Sequence, residues 1–265
     1  MRVRPSAFAG TFYPDKPQEL AAVVKSHLSK IAKSASAART MLVKAIVAPH
    51  AGYIYSGTTA GAAYAVVSAR GDEIERVVLL GPSHRVGFSG IASSGASAFE
   101  TPLGPVTVDR DAVTALTTAG LAREFEVAHD DEHSLEVQLP FIKTVFPSAH
   151  IVPLLAGDED WQACERVLAA LWGKDETLIV ISSDLSHYHD YATAQHLDGE
   201  TAKQIESLAA GGIDHEQACG ATAINGILGI AADKKMSCQT LELRNSGDTV
   251  GAKNRVVGYG AFAIG

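Results

Sequence analysis

Cysteine is scarce in this chain: Cys164, Cys219 and Cys238 are scattered among 265 residues with no C-x-x-C pair. That excludes a disulfide framework or a cysteine-rich zinc module and suits a reducing, cytoplasmic compartment. An excess of positive charge is missing too. Against 30 Asp and Glu stand 22 Lys and Arg, a formal net charge of −8, so no basic field exists to hold nucleic acid or an anionic membrane. Long apolar runs are also missing. The stretch from Ala221 to Ala232 is too short and too polar to span a bilayer. The opening segment MRVRPSAFAGTFYP is broken by charges and prolines before a signal-type apolar core can form. The sequence carries no Walker A loop, no G-x-G-x-x-G and no G-x-S-x-G elbow, which disfavours nucleotide-phosphate and serine-hydrolase chemistry. What it does have is the 46% hydrophobic, 20% charged composition of a folded protein, and ten histidines.

The strand candidates are short apolar runs that stop abruptly at polar, chemically capable residues. Lys44 to Ala48 runs into Pro49 and His50, Arg76 to Leu80 into GPSH ending at His84, and Leu178 to Ile181 into SSD ending at Asp184, with His187 beyond. Runs apolar on both faces read as central strands covered by helices on each side. Helical periodicity lies between them over Gln18 to Ile31, Thr58 to Val67, Ser134 to Val145, Trp161 to Leu171 and Asp190 to Leu208. Alternating elements of this kind predict an α/β fold with a largely parallel or mixed sheet. Residues 87–109, punctuated by Gly and Pro, predict an antiparallel excursion at one edge. Gln239 to Arg244 and Arg255 to Ile264 predict two strands joined by the polar loop NSGDTVGAKN. With no repeat or composition break, residues 1–265 are expected to form a single domain.

Ligands in open α/β sheets bind beyond the carboxyl ends of the strands, and His50, His84 and Asp184 all fall there. In APHAGYIYSG the histidine stands at a strand tip beside two tyrosines. In LLGPSH the Gly-Pro turn swings His84 back over the sheet edge. Two imidazoles from neighbouring tips are half of a two-histidine, one-carboxylate metal site. In SSDLSHYHD, Asp184 beside His187 can fix the imidazole tautomer and make it a general base or acid near neutral pH. His189 reads as solvated, and Asp190 as the N-cap of the next helix. In HDDEHSLEVQLPF, His129 and His133 have zincin-like spacing but lack the glutamate in second place, which argues against a zinc protease. Glu132 and Glu136 there share a helical face, where they either serve the site or answer the helix dipole. Cys219, opening an apolar helix, reads as a packing residue.

Taken in order, RPSAFAGTFYP, APHAGYIYSG, LLGPSH, DEHSLEVQLPF, VISSDLSHY and RVVGYGAFAI cover nearly the whole chain. Together they resemble the Memo family, whose bacterial and archaeal members are also called AmmeMemoRadiSam system protein B. The resemblance implies a fold similar to the class III extradiol, LigB-like dioxygenases, which are non-haem iron enzymes. It places two histidine ligands on His50 and His84, and pocket residues on Asp184 and His187. Animal members have a cysteine in the C-terminal loop as third ligand. Here NSGDTVGAKNRVVGY holds none, and Asp248 is the nearest ligand-capable residue.

The leading expectation is a metal-dependent oxidoreductase. A divalent metal, Fe(II) ahead of Zn or Cu, would sit on His50, His84 and Asp248, with His187 oriented by Asp184 as the proton-moving group and His133 either supporting the ligands or contacting substrate. The alternatives are a binding protein that keeps the same cleft for a metal or a peptide, and a metal-assisted hydrolase. The expected ligand is a small molecule or peptide. The resemblance adds a radical SAM protein and an AMMECR1-like protein as pathway partners.

Overall fold

In this computed structural model residues 2–30 and 41–265 are described. In chain order the strands are β1 (Val3–Arg4), β2 (Ala45–Ala48), β3 (Arg76–Pro82), β4 (Ile91–Ser93), β5 (Ala98–Phe99), β6 (Val106–Thr107), β7 (Arg123–Glu124), β8 (His150–Ala156), β9 (Thr177–Ser182), β10 (His187–His189), β11 (Cys238–Asn245) and β12 (Val256–Ile264). The helices are α1 (Pro17–Ser29), α2 (Tyr53–Ala65), α3 (Arg110–Thr118), α4 (Glu126–Asp130), α5 (His133–Glu136), α6 (Leu139–Val145), α7 (Trp161–Ala170), α8 (Tyr191–Glu206) and α9 (Ala221–Asp233).

The main sheet runs β10-β12-β2-β9-β3-β8-β4-β7, with β11 also paired to β12. Its centre is parallel, β2 on β9, β9 on β3 and β3 on β8, while β12 joins β2 antiparallel and β4 joins β8 antiparallel. The sheet is therefore mixed, in an α/β architecture. The central runs AIVA and TLIVIS are buried at every position, as their lack of apolar-polar alternation requires of strands covered on both faces. Helices α1, α2 and α6 pack together as one layer; α7 and α9 form another, and α8 lies on β11 and β12.

Helix periodicity set most boundaries to within a few residues, with three informative departures. Helix α2 begins at Tyr53 rather than Thr58, because the APHAGY turn leads straight into it. The stretch Ser134 to Val145 is two helices, α5 and α6, with Val137 and Gln138 between them and Pro140 in the first turn of the second. The strand β8 escaped the pattern reading because Pro153 interrupts HIVPLLA. Ile31, the last residue of the first helical pattern, lies outside the described residues. The excursion at residues 87–109 divides. β4 edges the main sheet, while β5 and β6 form an antiparallel pair in a small sheet with β1. The C-terminal strands pair antiparallel as expected, and Asp190 caps α8 through the Ala192 and Thr193 amides.

Candidate metal centre and its cleft

Strand order places the chemistry. β2, β9 and β3 are adjacent and parallel, with Ala48 opposite Ser182 and Leu80 opposite Ile181, so the loops leaving their carboxyl ends rise side by side. His50, Asp184 and His84 follow those ends and line one cavity of about 840 Å³, together with His133, His187 and Cys219. The rings of His50 and His84 are 5.1 Å apart and nearly perpendicular. Ring nitrogens of His50, His84 and His133 lie within 4.8 Å of one another, a group that can hold a metal ion.

The hydrogen bonds around the first two histidines fix their tautomers. Ser182 Oγ donates to the Ser134 carbonyl at 2.6 Å and accepts from Gln138 Nε2 at 2.9 Å. Its remaining lone pair, 2.9 Å from His50 Nδ1, can only accept, so Nδ1 carries the proton and Nε2 presents its lone pair to the cavity. His84 is held by Glu132, whose Oε1 is 2.9 Å from Nδ1 and whose Oε2 accepts the His84 amide at 2.6 Å. Burial opposes the charge on Glu132. Its hydrogen bonds with the His84 ring and amide and the Ser134 amide win, holding its pKa at about 2. An ionised acceptor at Nδ1 leaves His84 Nε2 as the free lone pair. A carboxylate or hydroxyl behind each imidazole is the usual support of a metal-binding histidine.

His133 is placed differently. It stacks on His84 with centroids 4.5 Å apart and planes 25° from parallel, and Phe12 covers it at 4.9 Å. Burial lowers its pKa to about 4, so it is neutral, and its buried Nδ1 makes no well-directed hydrogen bond among the described residues although Glu132 Oε1 lies 3.3 Å away. Burial drives His50 far down as well, helped by the neighbouring imidazoles.

Asp248, the carboxylate expected as third ligand, is not brought here. It lies in the short turn after β11, where Tyr191 Oη donates to its Oδ1 at 2.5 Å and the Asn245 amide to its Oδ2 at 2.9 Å. It does not line the histidine cavity. A capping box uses the carboxylate where sequence proximity suggested a ligand. Cys219 does line that cavity, with its Sγ 3.4 Å from His50 Nε2. Two backbone contacts deliver it: the Asp184 amide donates to Sγ at 3.3 Å, and the Cys219 amide donates to the Asp184 carbonyl at 3.3 Å. Burial pushes the thiol up to about 12.

Asp184 does not orient His187. Its Oδ1 accepts the amides of His50 at 2.8 Å and Ala51 at 3.4 Å, so it shapes the turn that presents His50. Burial raises its pKa to about 6. His187 instead bonds the Leu185 backbone, and burial lowers its pKa. The next residue, Tyr188, sits in the left-handed region at φ 66° under the Arg255 guanidinium, 4.3 Å from its ring centre. One left-handed non-glycine residue thus stands on the cleft wall.

The N-terminal motif reaches the cleft through a buried ion pair. Arg4 Nη1 donates to Glu136 Oε2 at 2.6 Å, and Glu136 Oε1 accepts the Phe8 amide at 2.8 Å and Tyr13 Oη at 2.6 Å. Both charged side chains are essentially unexposed, at 1% and 0%. Glu136 is therefore neither a solvated partner of Glu132 nor an answer to the helix dipole. It anchors the segment that carries Phe12 over His133.

A family model described as "Memo-like protein" matches residues 4–263. The chain belongs to the Memo-like family. The MEMO1 family protein of Methanopyrus kandleri is 34% identical over 280 residues, with 98% of each chain covered. That of Aquifex aeolicus is 34% identical, again with 98% of each chain covered. A solved structure of an uncharacterised protein from Escherichia coli K12 superimposes with a TM-score of 0.50 and 12% identity, covering 84% of this chain and all of that one. That likeness establishes the fold alone. In this Memo-like protein the cavity residue that sequence reasoning passed over is Cys219, while Glu132, left open between the site and the helix dipole, supports His84. The signal for Glu132 was present in its position between His129 and His133. None marked Cys219, which reads as the first residue of an apolar helix.

Proposed function

We propose that this Memo-like protein is a metal-dependent oxidoreductase. Its redox-active first-row metal, Fe(II) in the first instance, is held by His50 Nε2, His84 Nε2 and Cys219 Sγ. The observation that carries the reading is the contact between Cys219 Sγ and the free Nε2 of His50 at 3.4 Å. Two donors at about 2.0 and 2.3 Å from one ion, near a tetrahedral angle, stand roughly 3.5 Å apart. The His50 ring is nearly perpendicular to both His84 and His133, and the ring nitrogens of all three lie within 4.8 Å of one another, so His133 is the competing third ligand. Imidazole and thiolate together suit iron, copper or zinc rather than magnesium or calcium. Such a metal, when bound, supplies Lewis acidity and one-electron chemistry to an oxygen-bearing substrate in the cavity.

The chain's own residues supply the rest. Ser182 and Glu132 hold the two ligand rings in register. His187, one ring nitrogen committed to the Leu185 backbone and its pKa lowered by burial, keeps the other nitrogen as a base facing the cavity. Phe12 and His133 form an apolar, neutral wall that limits water.

Anaerobic Fe(II) titration with an oxygen-uptake screen over phenolic substrates tests this. His50→Ala is expected to abolish binding, Cys219→Ser to weaken it by more than roughly tenfold, and His133→Ala to change it only a few-fold. Retained affinity in Cys219→Ser with loss in His133→Ala would replace the thiolate by the third imidazole. Tight metal binding without oxygen uptake on any substrate would make the protein a metal-binding module instead.

A further inference from the structure

A second cavity of ligand size, about 670 Å³, opens between the N-terminal segment, α1 and α2. It meets the histidine cavity at Phe12, which lines both, and shares none of the metal-site residues. Its walls include Phe12, Tyr53 and Ile54, the last 61% exposed despite its size. Its charged lining is Lys30 and Arg244, and among the described residues no carboxylate lines it. In a chain with a net charge of −8 that is a local reversal of sign. Glu242 pairs with Arg244 Nε and so offsets part of that guanidinium's charge. Lys30 is in no ion pair among the described residues. His27 adds no charge, since burial and then the Lys30 ammonium lower its pKa to about 4. One unpaired cation and one cation already paired with a carboxylate match a single negative charge and undercompensate a dianion such as a phosphate. Apolar walls with a few convergent polar groups are the usual form of a small-molecule site.

We propose that this second cavity binds an aryl carboxylate, with the ring between Phe12 and Tyr53 and the carboxylate at Lys30 and Arg244. This site stands independently of the metal reading, because it uses none of the proposed metal ligands and shares with that cleft the Phe12 wall alone among the residues argued here.

The test is calorimetry and saturation-transfer NMR on the whole chain with 3-phenylpropanoate, using 3-phenylpropanamide as the neutral control. The acid should bind saturably in the submillimolar range, and the amide roughly tenfold or more weakly. The double variant Lys30→Gln, Arg244→Gln should weaken acid binding roughly tenfold without lowering Tm, because both side chains lie at the surface of the site. His50→Ala should leave it unchanged. Absence of saturation, or equal affinity for acid and amide, would overturn the proposal. So would binding lost in His50→Ala but kept in the double variant, which would put the probe in the histidine cavity.

Discussion

Glu132 binds three groups at once, the His84 ring, the His84 amide and the Ser134 amide. It therefore fixes the direction of His84 Nε2 without being a ligand. Glu132→Gln keeps the shape but turns an amide donor toward groups that also donate. It should weaken metal binding by about 10- to 100-fold, read by competition against a chelator of known affinity; unchanged affinity would remove Glu132 from the site. Cys219 illustrates the same scale. Its role comes from one contact to a residue 169 positions away in sequence, which no local pattern encodes.

Between elements, α1 and α2 approach closely. A Cβ on Gly61 would stand 2.6 Å from the His27 carbonyl oxygen, and one on Gly57 would stand 2.5 Å from His27 Nε2. Backbone against backbone cannot yield locally, so Gly61→Ala should cost about 1–3 kcal/mol, visible as a fall in Tm. Gly199, in α8, has nothing within 4 Å of an added Cβ, and Gly199→Ala should raise stability by about 0.5–1 kcal/mol. Equal shifts in the two variants would show that helix propensity, not packing, decides. The helix pair matters for the site because α2 begins two residues beyond Ala51, in the turn that carries His50. The break between α5 and α6 belongs here too: it leaves Gln138 free to bond Ser182 and the Pro49 carbonyl.

At the scale of the whole molecule, buried titrating groups set the acid limit. Burial, with the Arg4 charge second, lowers the His129 pKa to about 4. A histidine lowered from its unfolded value near 6.5 contributes stability that is complete above pH 6.5 and lost as pH falls towards 4. His27 behaves in the same sense. Asp198 acts oppositely: burial raises its pKa to about 6, so its contribution is complete below the unfolded value and lost as pH rises through 6. Denaturation as a function of pH should show stability falling from pH 6.5 to 4. In His129→Gln that slope should shrink by up to one proton, about 1.4 kcal/mol per pH unit; an unaltered slope would mean that His129 titrates normally. Asp198→Asn should gain stability at pH 8 and little at pH 4. We also expect a single cooperative unit. β3 lies between β8 and β9, and β2 between β9 and β12, so a fragment ending near residue 150 loses neighbours on both sides of its central strands. Limited proteolysis that released a stable fragment of that kind would contradict this.

The apolar runs that end in His50, His84 and Asp184 are local features, and hydrophobic periodicity alone marked them as strand tips above a cleft. Local pattern also sufficed for α7, α8, the C-terminal hairpin and the Asp190 cap, because capping and amphipathicity act within a few residues. Strand order, however, is a pairing of segments more than a hundred residues apart. It was that pairing that put β9 between β2 and β3 and set Ser182 behind His50, and the tertiary fold that carried Cys219 to the histidine cavity while leaving Asp248 in a turn. Asp184 shows the same limit, since its neighbour in sequence is His187 but its hydrogen bonds go to His50 and Ala51. Sequence determines which chemistries are available at the strand ends. The tertiary structure decides which of them meet, because convergence on a single ion depends on positions and directions in space that chain spacing does not contain.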